Sequence, residues 1–178
     1  MILTNAVPDH RIRQLYRQAF PAAERAPFFL LKRRAAQGRA DCWSLTEGSQ
    51  WVGMAYVLRR QDLAYLFYFA IDGSSRGQGY GTKAIEALLE QYAGCRFFLA
   101  LETLDEHAEN YAERLRRHRF YLCRGLTDRP YRIKEASVTY DMMGTGGSVA
   151  PEEYKSLVDA WLGRPWKWMI DTGMTAKG

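Results

Sequence analysis

The stretch SSRGQGYGTKAIEALL, residues 74–89, places Gly77, Gly79 and Gly81 after Arg76 and directly before an apolar helical pattern. Glycine weakens a helix start unless the bare backbone is itself needed. The segment follows LAYLFYFAI (63–71), which is apolar at both parities and reads as a central strand covered on both faces. A buried strand therefore feeds a glycine turn, which feeds a helix N-terminus. The first four N–H groups of a helix have no internal partner. No Ser, Asp or Asn stands at the expected cap, between Gly79 and Gly81, and Thr82 comes late for that role. Bare amides at the positive end of a helix dipole suit a phosphate. Arg76 would add a charge-assisted contact or order the loop.

Three familiar motifs lie close by. GSSRG (73–77) fits G-x-S-x-G, but a nucleophile elbow enters its helix directly after the serine. A helix running through Gly77 and Gly79 would cost about 1 kcal/mol at each. His107 and His118, the conceivable bases, read more simply as surface or groove histidines on a helical segment. The spacing Gly77-x-Gly79-x-Gly81 is not the G-x-G-x-x-G of dinucleotide folds, and Gly81-Thr82-Lys83 does not complete a P-loop.

Outward from this segment, DHRIRQLYRQAF (9–20) carries Ile12, Leu15, Tyr16 and Phe20 on one helical face, and FFLLKRRAAQG (28–38) predicts a second helix. DCWSLTE and WVGMAYVLRR flank GSQ as a hairpin. TKAIEALLEQYAG predicts the helix after the glycines, stopped at Gly94. RFFLALE (96–102) reads as a buried strand, and HAENYAERLRRHRFYL as a helix with Ala108, Tyr111, Ala112, Leu115 and Leu122 on one stripe. YRIKEASVTYDMM (131–143) has strand character. One βαβ unit in a mostly antiparallel sheet makes an α/β layer fold. GTGGS (144–148) reads as a linker. Beyond it Pro151, Glu152 and Glu153 start a helix with the apolar stripe Tyr154, Leu157, Val158, Trp161 and Leu162, stopped by Gly163 and Pro165. This helix must dock on its own body or on a partner, with Trp166 and Trp168 extending the docking.

The chain has 178 residues, 47% apolar and 25% charged, which fits one globular core. Its formal charge of +5 favours an anionic partner without naming one. Cys42, Cys95 and Cys123 form no C-x-x-C, so no zinc site or disulfide framework is expected. The N-terminal residues lack a signal-peptide pattern and no apolar run is long enough to span a bilayer. The expectation is a reducing, cytoplasmic setting without membrane association.

RGQGYG (76–81) resembles the R/Q-x-x-G-x-G/A pyrophosphate loop of the GNAT superfamily of acyl-CoA-dependent N-acyltransferases, in the family's order after FAID and before a helix. ENYAERLRRHRFYLCRGL (109–126) is similar to the family's Asn-bearing helix followed by a Tyr and then Gly plus an apolar residue: here Asn110, Tyr121 and Gly125-Leu126. The resemblance covers roughly residues 9–143. AFPAAERAPF (19–28) is similar to the linker between the N-terminal helices of a bacterial subgroup of unassigned substrate. It implies a GNAT-like α/β fold: a mixed, mostly antiparallel central sheet flanked by helices. The domain would span 1–143, with a C-terminal extension, 144–178, carrying one extra helix.

The resemblance also implies roles. The main chain of Phe69, Ala70 and Ile71 would pair with the pantetheine amides of acetyl-CoA. The amides from Gly77 through Gln78, Gly79, Tyr80 and Gly81 to Thr82, with Arg76, would hold its pyrophosphate. Tyr121 would protonate the departing thiolate, and Asn110 would contact the pantetheine arm. The family spaces its Asn and Tyr about seven residues apart, whereas here they stand eleven apart. Either the helix is longer or only one of the two keeps its role, and Tyr111 is a rival acid.

Amine acylation needs a neutral amine, a polarised thioester carbonyl and a proton for the leaving thiolate. Glu102, at the end of RFFLALE, is the candidate base if desolvated, directly or through water, and otherwise a strand-end carboxylate in solvent. Glu24 is a candidate substrate contact or cap, and otherwise a solvated linker carboxylate. Backbone N–H groups near Ile71 could hold the oxyanion. RLRRHR (114–119) with Arg124 could meet the 3′-phosphate of CoA, a nucleic acid or an acidic substrate, or form a solvated basic face. No coherent nucleic-acid stripe emerges, and no metal is expected. Two classes stay open: an acetyl-CoA-dependent N-acetyltransferase acting on a primary amine of a small molecule or protein, and a non-catalytic acyl-CoA-binding or protein or nucleic-acid interaction module of the same fold. A homodimer through the tail helix is a further expectation.

Overall fold

A computed structural model describes residues 1–135, 138–163 and 172–177. Trp166 and Trp168 lie outside the described residues. Eight strands form one sheet in the order β1-β2-β3-β4-β5-β7-β6-β8: β1 Ile2–Asn5, β2 Ala40–Glu47, β3 Gln50–Arg60, β4 Leu63–Ile71, β5 Arg96–Glu102, β6 Thr127–Glu135, β7 Val138–Thr145 and β8 Thr172–Ala176. The pairings β1/β2, β2/β3, β5/β7, β6/β7 and β6/β8 are antiparallel. The helices are α1 His10–Ala19, α2 Phe28–Ala36, α3 Tyr80–Gln91, α4 Tyr111–Leu122 and α5 Pro151–Leu162. The chain divides into two compact units, residues 1–61 with 66–93 and residues 62–65 with 94–178.

In the first unit, α1 buries Ile12, Leu15 and Tyr16 of the face its periodicity predicts, while Phe20 is its half-buried C-cap, outside the helix. Asp9 caps it, its side chain accepting the Ile12 N–H at 3.0 Å. The helix ends because Phe20, preceding Pro21, turns extended. β3 is buried from Val52 to Leu58. Each large apolar side chain so buried contributes about 1.5–3 kcal/mol. Gly53 admits the neighbouring main chain closely: a Cβ there would stand 2.3 Å from the Ala70 carbonyl oxygen. β1, which the sequence reading did not foresee, pairs with β2 from Ile2 to Asn5.

In the second unit, all five stripe residues of α5 are buried. Glu153 accepts the Ala150 N–H at 2.9 Å, and Pro151 stands at the first turn. Arg96 on β5 makes paired bonds to Asp62 (2.7 and 2.8 Å) and to Glu153 (2.7 and 2.8 Å), and a fifth to the Ser148 carbonyl. It holds both carboxyls below their ordinary range. Glu135 accepts the hydroxyls of Tyr65 (2.7 Å) and Tyr154 (2.9 Å), while Tyr65 stacks on Phe98 at 4.7 Å. The tail helix therefore docks on its own unit, and β8 adds a strand beside β6 that the sequence reading did not foresee.

Two expectations are corrected here. The segment 144–148 is not a free linker: Gly144 and Thr145 belong to β7, and Gly146 turns at φ +79 hard against β5. A Cβ on Gly146 would stand 2.5 Å from the Cys95 carbonyl oxygen. The helix expected from His107 begins only at Tyr111, because Asp105 accepts the His107 N–H at 3.0 Å and folds 105–108 into a turn. Ala108 consequently lies outside the helix, and Leu122 is exposed rather than on a buried stripe.

A linker glycine would accept alanine. Gly146→Ala should instead destabilise the protein by about 2–4 kcal/mol, from the positive φ and the close approach together. Thermal melting checks this, with Gly48→Ala, a turn position with open space around it, as the comparison.

Candidate active site

The glycine segment belongs to the first unit. β4 delivers Phe69, Ala70 and Ile71, and Asp72 closes the strand by donating its N–H to the Val52 carbonyl at 2.9 Å. The Asp72 carboxylate then accepts the Ser74 N–H (2.9 Å) and Ser74 hydroxyl (2.6 Å), which lowers its pKa and winds Gly73–Ser75 into one 3-10 turn. Ser75, the serine of the apparent nucleophile elbow, is buried at 1% exposure with its Oγ accepting from Gln50 Nε2 at 3.0 Å. It is a structural serine.

Gly77 and Gly79 both adopt left-handed backbone, at φ +77 and +78. A Cβ on either would meet nothing within 4 Å. These two positions are thus bare for backbone conformation and for open approach, not for packing against the chain itself. Gly81 lies inside α3, in its first turn with Tyr80 and Thr82. Gly79 is the N-cap, and no side chain caps the helix. Arg76 Nε donates to the Ile71 carbonyl at 3.3 Å and Gln78 Nε2 to the Ser74 carbonyl at 3.1 Å, so both side chains order the turn. Lys83, one turn into α3, pairs with Glu47 and lies 5.9 Å from the Tyr80 ring centroid. Such an arrangement can bind an anion through main-chain N–H groups and the helix dipole.

Glu24 sits in the single-turn 3-10 helix Ala22–Glu24. Two tyrosines pin this connection: Tyr68 donates its hydroxyl to the Glu24 carbonyl (2.9 Å) and accepts the Ala26 N–H (3.0 Å), and Tyr16 donates to the Ala26 carbonyl (2.9 Å). Burial pushes the Tyr16 hydroxyl up to about 12.

The second unit holds Glu102, Asn110 and Tyr121. Asn110 is the N-cap of α4 and Tyr121 lies near its other end. Eleven residues of helix separate two positions by about 16 Å along the axis, so they occupy opposite ends of α4. The Asn110 side chain is engaged, donating to Glu102 Oε1 at 3.2 Å and accepting from Arg114 Nε at 2.7 Å. Glu102 Oε1 also pairs with Arg114 Nη2 at 3.2 Å, and its Oε2 takes Arg117 Nη2. Arg114 Nη1 donates to the Thr103 carbonyl at 2.7 Å. Glu102 therefore clamps α4 rather than standing as an unengaged strand-end carboxylate. Sequence reading missed Arg114 and Arg117 as its partners, although both recur with Asn110 at helical spacing.

Tyr121 is buried, and among the described residues its hydroxyl makes no hydrogen bond. Burial pushes its pKa far above the ordinary phenol value, and the Arg117 guanidinium acts in the opposite direction. Tyr111, the rival acid, opens α4. His118 Nε2 pairs with Asp128 Oδ1 at 2.8 Å, and His107 lies in the turn before the helix. Among the described residues, no group of three or more His, Cys, Asp or Glu side chains is placed to hold a metal ion, and no helix is long and apolar enough to cross a membrane.

No curated protein matches the chain. Solved structures do. One described as a GNAT-family acetyltransferase from Bacteroides thetaiotaomicron superposes with a TM-score of 0.69 at 20% identity, over 88% of this chain and 90% of that one. The ribosomal-protein-S18-alanine N-acetyltransferase of Escherichia coli gives 0.52 at 19% identity over 85% and 97%. Arabidopsis thaliana NAA60, in complex with acetyl-CoA, gives 0.59 at 13% identity over 81% and 97%. At these identities the likeness is one of fold. The sequence model of the acetyltransferase (GNAT) family matches residues 10–116, which include the glycine turn, its helix and the start of α4. With that match over more than half of its length, the chain belongs to the acetyltransferase (GNAT) family.

Proposed function

We propose that this protein transfers an acetyl group from acetyl-CoA to a primary amine of a small molecule or protein by direct attack. The observation that carries this reading is the start of α3. Gly79 caps the helix in left-handed conformation, with open space over Gly77 and Gly79 and no side-chain cap. A diphosphate fits the chemistry of that turn. The acetyl-CoA bound to NAA60 supports the same donor.

In this reading the main-chain amides from Gly77 to Thr82 hold the pyrophosphate, and the main chain of Phe69 and Ala70 offers strand-type hydrogen bonds to the pantetheine amides. The Ile71 carbonyl already accepts from Arg76. Thiolate is a good leaving group, so orientation supplies much of the rate. Tyr121 gives the thiolate its proton: a buried phenol held far above its ordinary pKa stays protonated wherever the acceptor amine is neutral. The amine proton goes to water, because both Glu102 oxygens are engaged by Arg114, Arg117 and Asn110. Glu24 borders the acceptor as a carboxylate on a pinned connection.

Gly79→Asp should abolish CoA binding with the fold retained: φ +78 strains an L residue, but Asp tolerates the left-handed region better than most and its Cβ meets no atom of the chain, while its carboxylate puts a like charge over the phosphate turn. Isothermal calorimetry with CoA reads it, and unchanged affinity sinks the phosphate-cradle reading. Tyr121→Phe should lower turnover by about 100-fold while leaving acetyl-CoA affinity within about twofold, the scale of general-acid catalysis. The wild-type rate should climb with pH up to about 10 as an alkyl amine loses its proton, without an alkaline fall from Tyr121. A loss of rate between about pH 8 and 9, where an ordinary alkyl amine is still gaining neutral form, would remove Tyr121 as the acid.

A further inference from the structure

We propose that Gln50 is a positioning residue for the donor's diphosphate: from the β2–β3 turn it fixes Ser75 and so holds the glycine turn in its binding arrangement. The proposal rests on the reading of that turn as the phosphate cradle.

β2 and β3 are joined through Gly48 and Ser49, with Glu47 and Gln50 as cross-strand partners. Directly opposed residues of an antiparallel pair send their side chains to the same face of the sheet. Here both reach the approach to α3. Gln50 Nε2 donates to Ser75 Oγ at 3.0 Å, and Glu47 pairs with Lys83. Ser75 immediately precedes residues 76–82, and Lys83 immediately follows them. One hairpin turn therefore grips both ends of the segment whose amides face the phosphates in this reading. A further tie lies two residues along β3, where the Val52 carbonyl accepts the Asp72 N–H at 2.9 Å.

Ser75 is 1% exposed, while Gln50 lies at the surface. A surface glutamine gives up rotamer freedom to stay on one acceptor. That acceptor is well placed to set the turn. The Ser75 N–H closes the 3-10 turn on the Asp72 carbonyl at 2.9 Å, and Gly77 and Gly79 follow in left-handed backbone. Glycine takes either sign of φ readily, so this stretch has many arrangements to lose. Arg76 and Gln78 bond to the Ile71 and Ser74 carbonyls, within the same stretch of chain, and so shape the turn from inside. Gln50 ties it to the neighbouring hairpin at the last residue before Arg76. The apparent affinity of a site falls with the fraction of molecules in which it is already arranged. Freeing Ser75 lowers that fraction at the diphosphate end of the donor. The main chain of Phe69 and Ala70, which takes the pantetheine amides in this reading, is left as it was.

Isothermal calorimetry with CoA, and with pantetheine competing against CoA, separates the two ends. Gln50→Ala should raise Kd for CoA about fivefold, the scale of one hydrogen bond, and leave Kd for pantetheine within about twofold. Ser75→Ala removes the same bond from the other partner and should give the same loss. The double variant should lose no more than either alone. If Gln50→Ala does not melt as a folded protein, Ser75→Ala carries the comparison of CoA with pantetheine. Wild-type CoA affinity in Gln50→Ala, an equal loss for pantetheine, or losses that add in the double variant overturn the proposal and leave the phosphate cradle standing. A wild-type chain that binds pantetheine as tightly as CoA overturns both readings.

Discussion

The first main-chain N–H groups of a helix have no partner within it, and Gly79, the N-cap of α3, brings no side chain to cap them. Much of the first unit works to present this turn in one conformation. Gly53 lets the Ala70 carbonyl approach, Asp72 stops the strand by capping the next turn, and Gln50 ties down Ser75. Arg76 and Gln78 fold back on carbonyls that the turn would otherwise leave open. The left-handed glycines then aim the chain into the helix. A turn held by hydrogen bonds on both sides needs little further ordering.

The second unit relies on charge as internal fastening. Arg96, Glu135 and Glu102 each join a strand to another element through hydrogen bonds of fixed direction. Arg96 ties residues 62 and 153 to β5, and Glu135 joins two tyrosine hydroxyls from β4 and α5. These pairs are partly exposed, so their value lies more in geometry than in stability. The same device fixes Glu102 at the end of β5 against Asn110, at the start of α4, and against Arg114 and Arg117 within it.

Helices with a single apolar face were legible directly. The stripes of α1 and α5 are buried as their periodicity predicts, because a 3.6-residue repeat of large side chains has one stable use. The glycine turn was legible as well, since positive φ and a missing cap leave marks in composition. α4 was misjudged at its start because the Asp105 side chain competes for backbone N–H groups, a local choice that periodicity does not weigh. β1 and β8 escaped notice because four or five residues at a sheet edge carry too little alternation. Gly144 and Gly146 look like linker glycines in composition and act as close-packing glycines, a distinction that depends on the strand beside them.

The amino-acid pattern alone determined the strand, glycine turn and helix order around residues 63–91, and with it the family. That information is local: each residue's preferred dihedrals and side-chain period are written in its neighbours. Tertiary structure alone decided what the charged groups do. Glu102 reads as an available carboxylate until Arg114, Arg117 and Asn110 come against it. An ionisable side chain takes its role from its partners in space, and those partners lie on another element of the chain.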